Sequence, residues 1–390
     1  MAESFILKPE EVARRRNQTI ENKKLEEQTE KENEFQNTAG LVKINYESQG
    51  RFGTPTTLYF DDFNGQHIND IELSTQDNLL ENLIVILNNL KRNEPNFNIK
   101  DMSAEDLLET LIAIKQQFEG NTHIHYWVCN CQSEKSDKDR IINELILELS
   151  DLNFKSMTQV DEEMKKFLTE RFAEMTSDEF KQYLLVKYKT NPLDDIDTYT
   201  KEEEISKVLV KEPFHIIAQK DIYTIRYPRL EDIIKAKKYA DKLYGSKIKN
   251  IQNRREANVP LYELKEKKEN EIKELKDEQA KVIVLYAKSM MLITKNNLIL
   301  SDSEKYEEFK NVIKRKTMRN IEDLFENISF GLQTETELIC PLCGESEKRL
   351  LRDFIDPRQL LPLNYRKQDS GNDAQRKSQL NSGLDFYFGI

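Results

Sequence analysis

Four cysteines constrain this chain more tightly than any other feature, because they stand in two close pairs, Cys129-Asn-Cys131 and Cys340-Pro-Leu-Cys343. The second pair has knuckle spacing and is followed by Gly344, so two thiolates can point at one tetrahedral ion across a tight turn. Two sulfurs are half of such a site. Cys129, Cys131, Cys340 and Cys343 together complete it, with one zinc per chain stapling segments about 210 residues apart. His123 or His125 can stand in for one sulfur, and a pair of buried, metal-free turns is the competing reading. Met1–Glu10 has no signal-peptide core, which favours metal ligation over a disulfide framework. No thioredoxin-like βαβ context surrounds the CxxC, so a redox role has the least support.

Around these pairs the chain reads as α+β and predominantly helical. It has only eleven glycines and ten prolines in 390 residues, so turn-formers are scarce. Charged residues make up 33% of it, net −11, and no apolar run reaches the length of a membrane span. The first 40 residues form a charged arm with few apolar anchors, solvated or helical on a partner. A first module over 41–132 opens with strands at Leu41–Tyr46 and Thr57–Phe60. Asn64-Gly65 reads as a turn leading into Ile68–Leu73. Helices follow through Leu79–Leu87 and, behind a capping box at Ser103–Asp106, through Leu107–Phe118. His123–Cys131 alternates like a strand, which puts His123, His125, Cys129 and Cys131 on one face. Residues 133–212 read as a helical connector, including Ile141, Ile142, Leu145, Leu147 and Leu149, ending in an acidic linker.

A second module over 213–364 repeats this order: strands at Phe214–Ile217 and Ile222–Tyr227, then a helix. Phe118 precedes Cys129 by nearly the same interval as Phe330 precedes Cys340, which suggests a duplicated unit. The second copy is interrupted by a Glu/Lys-dense helical arm at about 256–281. Residues 365–390 are a polar linker ending in Leu384, Phe386, Tyr387, Phe388 and Ile390. Three aromatics at a polar terminus read as a docking peptide that binds a partner.

Enzyme signatures are missing: no glycine-rich phosphate loop, no HExxH, no GxSxG, and Gly245-Ser-Lys lacks the glycine of a Walker loop. The chain therefore reads as non-enzymatic. Asp194-Asp-Ile-Asp197 reads first as a solvated linker rather than a cation site. A net charge of −11 gives no global drive toward nucleic acid. One stretch, Lys235–Arg255, holds eight basic residues against Asp241. With the CxxC it supports an alternative reading as a zinc-ribbon nucleic-acid-binding or transcription-associated protein.

The motifs Gly53-Thr-Pro55, Leu73-Ser-Thr-Gln-Asp77, Ser103–Leu107 and Val128-Cys-Asn-Cys131 resemble a family of tailed-phage proteins, the T4-type baseplate hub and hub-assembly proteins. So do Ile321-Glu-Asp-Leu-Phe325, Glu337–Cys343 and the run from Asp356-Pro to Leu360-Leu-Pro362. The first pair departs from the pattern, being CxC where CxxC is expected. The resemblance implies a structural or assembly component of a contractile-tail baseplate, in its hub or wedge region. Such a protein is made in the host cytoplasm and located in the virion. It contacts other tail proteins, in several copies, and has no enzymatic activity.

Overall fold

The computed structural model describes residues 40–74, 78–127, 129, 131, 143–187, 196, 198–218, 221–254, 261–353 and 360. The expected N-terminal arm (Gly40 aside), the Asp194 and Asp195 pair with Asp197, and the docking residues Leu384, Phe386, Tyr387, Phe388 and Ile390 lie outside them. The fold is α+β and predominantly helical, as the composition predicts.

The chain opens with a hairpin of β1 (Val42–Asn45) and β2 (Thr57–Phe60), whose alternating burial turns Val42, Ile44, Leu58 and Phe60 inward. Three helices follow: α1 (Gly65–Glu72), α2 (Leu79–Leu90) and α3 (Ala104–Phe118). The Asn64-Gly65 hairpin turn is not formed. The Asn64 side chain instead accepts from the backbone N–H groups of Gln66 and His67, so the residue caps α1 and Ile68–Glu72 become helical. Ser103 caps α3, accepting from Asp106 N at 3.1 Å, but the reciprocal half of the expected box, from Asp106 to the Ser103 backbone, is not formed. Leu83, Ile84, Leu87 and Leu90 on α2 meet Leu107, Leu108, Leu111 and Ile114 on α3 in the main core, beneath the hairpin. Each of these side chains contributes roughly 1.5–3 kcal/mol through burial.

Next, β3 (Thr122–Trp127) pairs antiparallel with β4 (Asn143–Glu148). The helix expected through Leu145 and Leu147 is therefore a strand. Asn143 and Leu147 face inward while Glu144, Ile146 and Glu148 face out, so pairing with β3 selects the two-residue period. Short β5 (Phe154–Lys155) leads into α4 (Met157–Glu174), α5 (Ser177–Lys187) and α6 (Lys201–Ser206). Phe172, Phe180 and Leu184 form a small satellite core among these helices.

The second half builds a four-stranded antiparallel sheet from β6 (Phe214–Ala218), β7 (Asp221–Ile225), β8 (Leu292–Lys295) and β9 (Leu298–Ile299). Between β7 and β8 runs a long helical hairpin, α7 (Leu230–Asn253) and α8 (Leu261–Met290). From Leu261 on, the charged arm is thus one limb of a hairpin and runs unbroken into the apolar stretch at 282–290, its first positions, 256–260, lying outside the described residues. Its base is packed by Ala236, Ala240, Ile283, Tyr286 and Ala287, with Tyr239 stacked on Tyr286 at 4.4 Å. α9 (Asp302–Glu307) continues into a π turn at Glu308–Val312, followed by α10 (Arg315–Asn327), β10 (Gly331–Leu332), β11 (Glu335–Ile339) and β12 (Ser346–Leu350).

The two halves share a core. β10 pairs with β5, joining Gly331 to Lys155 and Leu332 to Phe154. Phe52, on the loop between β1 and β2, is fully buried and stacks on Tyr227 at 4.6 Å and Phe330 at 5.1 Å.

Candidate metal centre

Two hairpins converge at one corner of the fold. The first is β3–β4, from whose β3 end Cys129 and Cys131 follow; the second is β11–β12, whose connecting turn carries Cys340 and Cys343. That turn closes on itself: Gly344 N donates to Cys340 O at 2.9 Å, and Cys340 N donates to Glu345 O at 3.0 Å. Gly344 adopts φ +71°, the left-handed region that a knuckle requires and a side chain would oppose.

The sulfurs meet across the two segments. Cys129 Sγ lies 3.8 Å from Cys343 Sγ, Cys131 Sγ lies 3.8 Å from Cys340 Sγ, and all four lie within 4.8 Å of one another. Thiolates at 2.3 Å from a tetrahedral zinc have sulfur–sulfur edges of about 3.8 Å, so the cluster has the dimensions of a four-thiolate site. These four cysteines can hold a metal ion. None is in a disulfide.

The electrostatics agree with the geometry. Backbone N–H groups of Cys343 and Leu342 hold the Cys340 thiol down at about 7, while the Cys129 sulfur beside it pushes Cys131 up to about 12. Without a cation, the first thiolate formed opposes ionisation of the others. A divalent ion removes that opposition and lets all four ligate. Four protein sulfurs also leave no open coordination position for a substrate, which is the pattern of a structural site.

The alternative ligands His123 and His125 are not brought to the sulfurs. Strand alternation turns both rings inward, leaving them 3% and 2% exposed. Burial, Lys115 and the neighbouring ring hold His123 down at about 3, a neutral imidazole in the core. The alternation expected through Cys131 ends with β3 at Trp127, and neither Cys129 nor Cys131 lies in a strand.

A buried acidic knot escapes a pattern reading. Asp106 is fully buried on α3, faced by the hydroxyls of Thr54, Ser48 and Ser103 without reaching full hydrogen-bond geometry to them. Burial raises its carboxyl to about 7 and that of Glu109 to about 8. The signal was spacing: Asp106, Leu107, Thr110, Leu111 and Ile114 form one helical stripe, so the carboxylate shares the apolar face. Gly245-Ser-Lys lies within α7, not in a phosphate loop. Among the described residues, no helix is long and apolar enough to cross a membrane. The chain matches no protein-family model, no curated protein and no solved structure.

Proposed function

We propose that this protein is a non-enzymatic scaffold whose two halves are clamped by one zinc ion held by Cys129, Cys131, Cys340 and Cys343. One observation carries the reading: four sulfurs from segments more than 200 positions apart, with 3.8 Å edges between the pairs, leaving no ligand position open to substrate. Zinc suits the site because thiolate sets in tetrahedral geometry select it over magnesium, calcium or manganese. Metal analysis of the purified chain tests this, with about one zinc per chain expected. A chain purified under reducing conditions without zinc, and unable to take it up, overturns the clamp.

The setting we propose is a contractile-tail baseplate of a bacteriophage, in its hub or wedge region. The short motifs resembling the T4-type hub proteins support it, as does a chain with charged segments outside its cores. Affinity purification from phage-infected cells, with mass spectrometry of stoichiometric neighbours, tests the setting. Recovery of other tail proteins is expected; recovery of RNA polymerase or nucleic acid in their place overturns it.

A further inference from the structure

The helical hairpin breaks the charge average of the molecule. Residues 235–281 carry fourteen Lys+Arg against nine Asp+Glu, net +5, so the rest of the chain holds −16 of the total −11. On α7 these charges form a rail. Lys235, Lys238, Lys242 and Lys249 recur at helical spacing, on the side opposite Ala236 and Ala240, which face α8. The rail is about 21 Å long at 1.5 Å per residue.

Its inner half shows what it binds. Lys235 pairs with Asp302 at 3.2 Å and Lys238 with Glu81 at 3.2 Å, both carboxylates of the body, and Lys235 also pairs with Glu231 of its own helix at 3.1 Å. Beyond Lys238 the rail leaves the body. Lys242 and Lys249 are exposed and make no ion pair among the described residues. Between them, on the same side, stands Gly245, with open space where a Cβ would be. The outer rail is therefore two cations seven positions apart, flanking a gap in which another surface can approach the helix backbone.

The chain itself carries the complement. Within α4, residues 157–174 hold five Asp+Glu against three Lys+Arg, net −2. On α4, Glu163, Phe167 and Glu170 share one exposed side, with Phe167 54% exposed. Here two anions seven positions apart flank a large apolar side chain, with exposed Lys166 beside them on the same side. Among the described residues Glu163 pairs with Lys155, and its side chain is 64% exposed.

We propose that the outer rail of α7 docks on α4 of a second copy of this chain. Phe167 of the partner copy sits over Gly245, and Lys242 and Lys249 face that copy's Glu163 and Glu170. The patches differ, so the contact is head-to-tail and propagates into a ring or an open array. Contact-range pairs survive in moderate salt while repulsion between two net-negative bodies is screened beyond about 10 Å. The proposal rests on the scaffold reading only in taking a protein as the partner.

Sedimentation velocity of the full chain tests it. Wild type is expected to associate with rising concentration at about 50 mM salt and to dissociate at about 500 mM, where the Debye length shortens severalfold. Lys242→Glu with Lys249→Glu, or Glu163→Lys with Glu170→Lys, each abolishes association; an equimolar mixture of the two variants restores it by the swapped charges. Every altered position is exposed, and circular dichroism matching wild type confirms the fold. A chain that stays monomeric at both salts overturns the proposal, as does association indifferent to the reversals. So does salt-dependent binding of a labelled DNA duplex that the lysine variant loses while wild type remains monomeric. A monomer that still holds one zinc fails here and leaves the metal clamp standing.

Discussion

Arg51 and Asp161, 110 positions apart, form a 2.6 Å ion pair whose side chains are 12% and 10% exposed. Arg51 Nη1 also reaches the carbonyl of Val210 at 3.3 Å, and Asp161 Oδ1 accepts from Val210 N at 2.8 Å. The loop between β1 and β2, helix α4 and the entry to the second half are thus joined at one polar point. Removing one partner strands a charge, so Arg51→Ala or Asp161→Ala should each cost roughly 3–5 kcal/mol. Urea denaturation measures this. The double variant should cost clearly less than the two single losses added together, and simple additivity would show that the residues do not act as a pair.

Beside that pair, Phe52 lies between Tyr227 and Phe330 with no solvent exposure. Phe52→Ala should lower stability by about 3–5 kcal/mol, because the surrounding rings cannot collapse into the cavity. Phe52→Leu, which keeps most of the volume, should lose less than half as much. Equal losses would mean that cavity formation is not the cause.

Metal removal should act locally. The turn between β11 and β12 is exposed along residues 341–348, and only Leu338 and Cys340 of that hairpin's tip are buried. Chelation, or Cys340→Ser, should release the proposed zinc and open this turn to proteolysis while the helical circular dichroism is retained. Cleavage that begins within the β1–β2 hairpin and leaves the knuckle intact would contradict the assignment.

The buried carboxyls Asp106 and Glu109 set a pH dependence. Burial raises both in the folded state, to about 7 and about 8, so the fold prefers their protonated forms. Their stabilising contribution is complete below the ordinary carboxylate range near 4. It is lost as pH rises through 7 to 8, and the curve flattens above that. Metal-free Cys340→Ser protein, which removes the opposing pH dependence of thiolate ligation, should therefore melt at progressively lower temperature from pH 5 to pH 8. Asp106→Asn in that background should flatten the slope. An unchanged slope would place the titration elsewhere.

Some of this was legible from local sequence. Ser103 caps α3 because an N-cap needs only a side-chain oxygen and a free N–H three residues on. The Cys340–Gly344 knuckle likewise depends on a five-residue turn. Asn143–Glu148 was not legible, since its apolar residues fit either a helical or an alternating period, and β3 decided between them. Asn64 was not either, because asparagine before glycine serves equally as a hairpin turn or a helix cap, and α1 packing through Ile71 selects the cap.

The sequence by itself determined the cysteine spacing, the helix-rich α+β class, the Ser103 cap and the concentration of basic charge in Lys235–Arg255. Each is a property of residues within a turn or two of one another. Only the tertiary structure decided that the four sulfurs lie within 4.8 Å of one another, that His123 and His125 turn into the core, and that Asp106 is buried beside Ser48 and Thr54. These depend on which surfaces meet after the chain has closed loops of 50 to more than 200 residues. Side-chain alternation and local propensity carry no information on that length scale, whereas burial and strand pairing act on it directly.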